Sequence, residues 1–164
     1  MSNEGSSPEE KWPGVPFAYD FVLPSYEWML TRLEAIDGRI QGIQTFAATF
    51  TLGMPLIGKS VIEGIRFTSP WFLLALATFA LIVVWSVAIR SYGHLHLVNP
   101  AIIYEDKLHY SEWQFKRSLL HWAGEHFTKN TKVINRKGHA GNWLSGLFLL
   151  EVALFLIWIV TPTN

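Results

Sequence analysis

The sequence predicts an all-α integral membrane protein with three transmembrane helices and a cytoplasmic helical stalk. Half of its 164 residues are hydrophobic, with eight Trp and eleven Phe, which is too apolar for an ordinary soluble domain of this length. Two runs near the middle and the end of the chain are long enough to cross a bilayer, and an apolar stripe at 3-4 spacing precedes them.

Residues 1–24 open with Ser, Glu, Gly and Pro in no periodic order and are expected to form a disordered N-terminal tail. They lack the basic start and apolar run of a cleavable signal peptide, so insertion is assigned to internal segments. Residues 25–62 are expected to form an amphipathic helix that runs into transmembrane helix 1. Tyr26, Met29, Leu33, Ile36, Ile40, Ile43, Ala47, Phe50, Met54 and Ile57 repeat every three or four positions. Pro24 and Ser25 supply a start signal, and Glu27, Arg32, Glu34, Asp37 and Arg39 lie off the stripe. The spanning part is placed at 43–58, where Thr, Gly and Pro55 are tolerated if neighbouring helices cover the freed carbonyls.

Residues 70–90 are expected to form transmembrane helix 2. Trp71 to Ile89 is 19 residues without a charge, about 28 Å of helix against a hydrocarbon core of about 30 Å. Pro70 sits where a missing N–H costs nothing, and Arg90 closes the run, with Asn99 and Pro100 as the final stop. Residues 91–142 form a basic cytoplasmic segment: 90–142 holds eight of the thirteen basic residues against four acidic ones. Ser111 and Gln114 fit a capping box that opens a helix in which Trp113, Leu120, Phe127 and Ile134 recur every seven residues. That stripe is the expected partner of the first helix in a stalk. Gly138 and Gly141 are candidate breaks before transmembrane helix 3 at 143–161, whose apolar run carries Glu151 in its middle.

The excess of Lys and Arg places 91–142 and the N-terminus in the cytoplasm and the C-terminal residues outside, in what is read as a bacterial inner membrane. The 13 basic and 13 acidic residues cancel, so the chain lacks the field of a nucleic-acid binder. No cysteine is present, which excludes disulfides, thiolate metal sites and a cysteine nucleophile. His94 with His96, and His121 with Glu125 and His126, lack the spacing of a helical zinc motif. Gly-rich phosphate loops and nucleophile elbows are missing too, so no enzyme activity, cofactor or metal is expected.

Glu151 is the intramembrane polar candidate, because a carboxylate at mid-bilayer must face a partner, water or a bundle interior. It is read either as part of an ion path, a proton site or an oligomer contact, or as a protonated group hydrogen-bonded to a Thr or Ser of a neighbouring helix, for instance Thr49, Thr51 or Thr78. Lys129, Lys132, Arg136 and Lys137 are the candidates for contact with lipid or an anionic ligand.

The order of parts resembles the Pycsar transmembrane effectors and the SLATT group, small bacterial membrane effectors of antiphage signalling. The resemblance rests on RLEAIDGRIQ leading into a first span, VNP after a second, and EHFTKNTKVINRKG entering the last; it covers residues 25–160. The Asp–Lys pairing associated with the first group appears here as Asp37 and Arg39. The resemblance implies an oligomer that perturbs the membrane in antiviral defence when a cyclic nucleotide is sensed. From the residues alone, the expected behaviour is homo-oligomerisation or partner binding in a lipid bilayer. An accessory subunit of a larger membrane complex, or a conductor using Glu151, is the alternative.

Overall fold

A computed structural model of the chain describes residues 7–61, 67–97, 107 and 109–161, and every regular element among them is a helix. In chain order these are α1 (Pro8–Lys11), α2 (Val15–Val61, 47 residues), α3 (Pro70–Ser91, 22 residues) and α4 (Glu112–Val160, 49 residues).

Several boundaries differ from expectation, each for a local reason. α2 begins at Val15, not at the Pro24–Ser25 signal, so residues 15–24 of the expected tail are helical. Pro24 removes one N–H, and the hydroxyl of Ser25 donates to the carbonyl of Phe21 one turn back. Ser7 and Glu10 close a reciprocal capping box over α1, so residues 8–11 also leave the expected tail. α3 stops at Ser91, where Tyr92 turns extended and Gly93 takes a positive φ of 74°, a backbone shape that glycine adopts without strain. The expected stop at Asn99 and Pro100 lies outside the described residues, as do residues 1–6, 62–66 and 162–164.

α4 opens at the expected box, with the Gln114 N–H donating to Ser111 Oγ and the Ser111 N–H donating to Gln114 Oε1. It continues unbroken through Gly138 and Gly141. Those glycines are packing positions instead. A Cβ at Gly138 would stand 3.8 Å from Ile36 Cδ1, and one at Gly141 3.8 Å from Ile40 Cγ1.

The chain divides into two compact units. The first holds residues up to Leu33 and His94–Ile134. Here Met29, Trp113, Ala123 and Ile134 are buried, and the Tyr26 ring meets Trp122 and Phe127. The Trp113 indole donates to the carbonyl of Trp12, tying the N-terminal residues to α4. Exposed i,i+4 pairs, Lys116 with Glu112 and Lys129 with Glu125, line its outer faces.

The second unit holds Glu34–Gly93 and the chain from Asn135 onward. α2, α3 and α4 pack here around two clusters. One joins Met54, Phe72, Ala75, Leu154, Phe155 and Trp158; the other joins Ile40, Ala47, Ile82, Ile89 and Leu144. The Phe72 and Trp158 rings lie 4.9 Å apart, and Phe50 meets Phe155 edge-on at 5.7 Å. α3 and α4 are each long and apolar enough to cross a membrane. Only 28 % of each apolar window is buried, so most of its apolar side chains, Leu73, Leu81, Val84, Leu149 and Leu156 among them, point outward.

The expected stripe on α2 is observed through Met54 and then drifts. Ile57 is exposed while Thr51 and Gly58 are buried. A helix of 3.6 residues per turn rotates about 20° per heptad against a 3.5-residue pattern, and the contact line moves with it.

Candidate functional site

One line of residues on α4 concentrates the buried polar groups. Ala123, Asn130, Lys137, Leu144, Glu151 and Trp158 follow at intervals of seven, and all six are buried. Three are polar, and a polar group sealed from water costs free energy unless it is hydrogen-bonded. Each one reaches a different partner.

Asn130 serves the first unit. Its side-chain oxygen accepts the His96 N–H at 2.9 Å, and its Nδ2 donates to the His96 carbonyl at 3.2 Å. The amide thus satisfies both backbone groups of one residue in the non-helical stretch after α3. The His96 ring then stacks on His126 with centroids 5.1 Å apart and planes 17° from parallel, and His126 leans on Trp122 at 4.6 Å. Parallel rings do not aim their nitrogens at a shared ion. No group of three or more metal-ligating side chains occurs among the described residues.

Lys137 belongs to the second unit and is only 3 % exposed. Its ammonium donates to both oxygens of Asp37, at 3.2 and 3.3 Å. Asp37 therefore pairs across to α4, while Arg39, the expected neighbour in that pairing, donates to Asn142 Oδ1 and Ser145 Oγ. Breaking such a pair strands a cation in a closed space, whereas the intact pair fixes the register of one helix on the other.

Glu151 lies deepest. It is fully buried, and Thr51 of α2 donates its hydroxyl to Glu151 Oε1. Its second oxygen, Oε2, is buried without a hydrogen-bond partner. Of the three threonines named as its candidates, Thr49 donates instead to the Thr45 carbonyl and Thr78 to the Leu74 carbonyl. The carboxyl group faces the interior of the helix packing, with Leu154 and Phe155 buried on the next turn of α4.

The four basic candidates separate. Lys129 is exposed and pairs with Glu125, and Lys132 is exposed; both lie in the first unit. Arg136 donates to the Tyr92 hydroxyl at 2.9 Å, and Lys137 is committed to Asp37. An apolar cavity of about 330 Å³ in the first unit is lined by Tyr19, Val22, Tyr26, Leu97, Leu119 and Trp122 among others. No cation lines it, and the Tyr26 hydroxyl is taken by the Ala123 carbonyl at 2.8 Å. Burial pushes the Tyr26 phenol above its usual value.

Sequence reasoning missed Asn130 and His96. The available signal was Asn130 standing on the same seven-residue line as Lys137 and Glu151; nothing in the sequence pointed to its partner 34 residues away. Compared with known proteins, the chain matches no family model, no curated protein and no solved structure.

Proposed function

We propose that the protein is a three-span membrane protein with a water-exposed helical unit on the cytoplasmic side, and that it acts by self-association through that unit. The observation that carries the self-association reading is an aromatic face on α2. Phe17, Phe21 and Trp28 stand at helical spacing, 79 %, 79 % and 61 % exposed. Large aromatic residues aligned on one face and left in water mark an association surface. A second copy presenting the same face would cover it through a two-fold contact.

The membrane reading is supported by the outward apolar surface of the second unit, which water would solvate poorly and acyl chains would not. The third span is α2 from about residue 43. It shares both core clusters with α3 and α4 and exposes Phe46, Leu52, Leu56 and Ile57. Its composition understates its fitness for lipid, because the Thr45 and Thr49 hydroxyls are spent on the carbonyls of Gln41 and Thr45. The basic residues of 90–142 favour the cytoplasmic side for that segment, in a bacterial inner membrane.

Alkaline carbonate extraction tests the membrane assignment, and release of the protein as a soluble species would refute it. In mild detergent the wild type should run as an oligomer, and replacing Phe17, Phe21 and Trp28 by Ser should yield monomers. A wild type that is monomeric at all concentrations would remove self-association; a stable second protein on the same face would favour an accessory subunit. The defence-effector reading requires that expression, with or without a cyclic nucleotide, changes membrane potential.

The unpartnered Oε2 of Glu151 favours a second reading, in which the carboxyl group is a proton or ion site within the span. Equal liposome flux for wild type and Glu151→Gln would dismiss it.

A further inference from the structure

Between α3 and α4, within the second unit, lies a cleft of about 260 Å³ whose surface is almost wholly apolar and which Tyr92, Arg136 and Lys137 border. Trp85, Ala88 and Ile89 of α3 give it an apolar floor. Lys137 is neutralised by Asp37, whereas no ion pair to Arg136 occurs among the described residues. Arg136 Nη1 donates to the neutral Tyr92 hydroxyl, and among the described residues it has no carboxylate at ion-pair distance. A guanidinium carries five N–H donors in a fork that matches a phosphate, so most of that fork is unspent.

The same condition recurs at this level of the helix packing. Arg39 of α2 is held by Asn142 and Ser145, and Arg90 of α3 by the Gln41 side-chain oxygen at 2.9 Å. Three arginines from three helices are thus oriented by neutral partners. Among the described residues, Asp37 is taken by Lys137, and exposed Glu34 forms no ion pair with the arginines. Fixed cations without internal counter-charge at the edge of an apolar surface call for an external anion. A free anion would use the arginines alone. The apolar floor running about 10 Å along α3 from Tyr92 to Trp85 would then have no occupant. A phospholipid satisfies the arginines and the floor together.

We propose that the cleft between α3 and α4 is a seat for an anionic phospholipid, with the headgroup phosphate on Arg136 and Tyr92 and an acyl chain along Trp85 and Ile89. This rests on the membrane assignment above, which carbonate extraction tests separately. Tyr92 sets the guanidinium and adds a hydroxyl of its own, and Trp85, half-exposed, forms the outer wall of the acyl path.

The test uses the full-length protein in a neutral detergent, with bound lipid counted by native mass spectrometry and thermal stability followed alongside. Phosphatidylglycerol, phosphatidylcholine and inorganic phosphate are added in separate arms. The wild type should retain phosphatidylglycerol in preference to phosphatidylcholine and be stabilised by it, with no response to inorganic phosphate. Arg136→Gln should lower that preference by about fivefold, the ratio that corresponds to roughly 1 kcal/mol per basic residue near anionic lipid. Trp85→Ala should weaken retention of both lipids while the preference persists. Lys11→Gln, outside the cleft and exposed on α1, should change neither and controls for general loss of charge. Equal retention of the two lipids by the wild type, or an unchanged preference in a folded Arg136→Gln variant, overturns the proposal. Stabilisation by inorganic phosphate equal to that by lipid also overturns it and assigns the arginines to a soluble anion.

Discussion

The two units share two helices but present opposite surfaces. In the first, ion pairs lie on the surface beside exposed aromatic side chains, and one buried amide, Asn130, serves both backbone groups of His96. In the second, leucines and valines face outward while two ionisable groups, Lys137 and Glu151, are buried. The seven-residue line on α4 runs through both, so one sequence rule serves two different surfaces. Water disperses apolar surface poorly and solvates charge well, and lipid does the reverse. The buried polar residues of both units, Asn130, Lys137 and Glu151, each meet a protein partner.

Substitutions in that line or in its partners can break the comparison, and the largest effect is expected at Asp37, the partner of Lys137. Asp37→Ala leaves the Lys137 ammonium unpaired in a closed space and should cost about 3 kcal/mol of unfolding free energy in detergent. Asp37→Leu combined with Lys137→Met should recover most of it; a double variant as unstable as the single one would show that the pair does more than neutralise charge. Asn130→Leu comes next. It abandons both backbone groups of His96, so the first unit should lose about 2 kcal/mol, read as faster amide exchange around residues 94–97.

The pH behaviour of Tyr26 sharpens the contrast from within the first unit. Burial raises its phenol, so the folded state holds that proton more tightly than the unfolded chain. The resulting stabilisation is complete below about pH 10 and declines as pH climbs further. Tyr26→Phe should remove the decline, seen in a pH series of melting curves, and cost about 1 kcal/mol at neutral pH through the lost bond to Ala123. Glu151→Gln retains an acceptor for Thr51 and nearly the same volume, so its stability should change by less than about 1 kcal/mol. A larger loss would mean that the carboxyl group holds a partner the helices themselves do not provide. The smallest effect has the opposite sign. A methyl group at position 141 would sit in ordinary contact with Ile40, so Gly141→Ala should stabilise α4 by up to about 1 kcal/mol.

Much of this was legible in the residues. Helical class, the two apolar runs, the capping box at Ser111 and the stripe from Tyr26 to Met54 all follow from local period and local hydrogen-bonding capacity. The length of the helices was not. Pro24 reads as a helix start and Gly138 and Gly141 as breaks, yet α2 and α4 pass through them. Packing against a long neighbour outweighs a penalty of one to three kcal/mol at a single position.

Glu151 stood out by itself because no other charge interrupts its run. Its choice of Thr51 over Thr49 or Thr78 depends on rotation and register between two helices, which residue spacing within one helix does not fix. The same holds for Asp37, which pairs with Lys137 a hundred residues away and not with Arg39 two residues away, since neighbours two apart on a helix point to different sides. Composition and period alone determined which segments are helical and which are apolar. Only the tertiary structure decided which buried polar groups meet, and which arginines remain without an anion, because both depend on distances between helices.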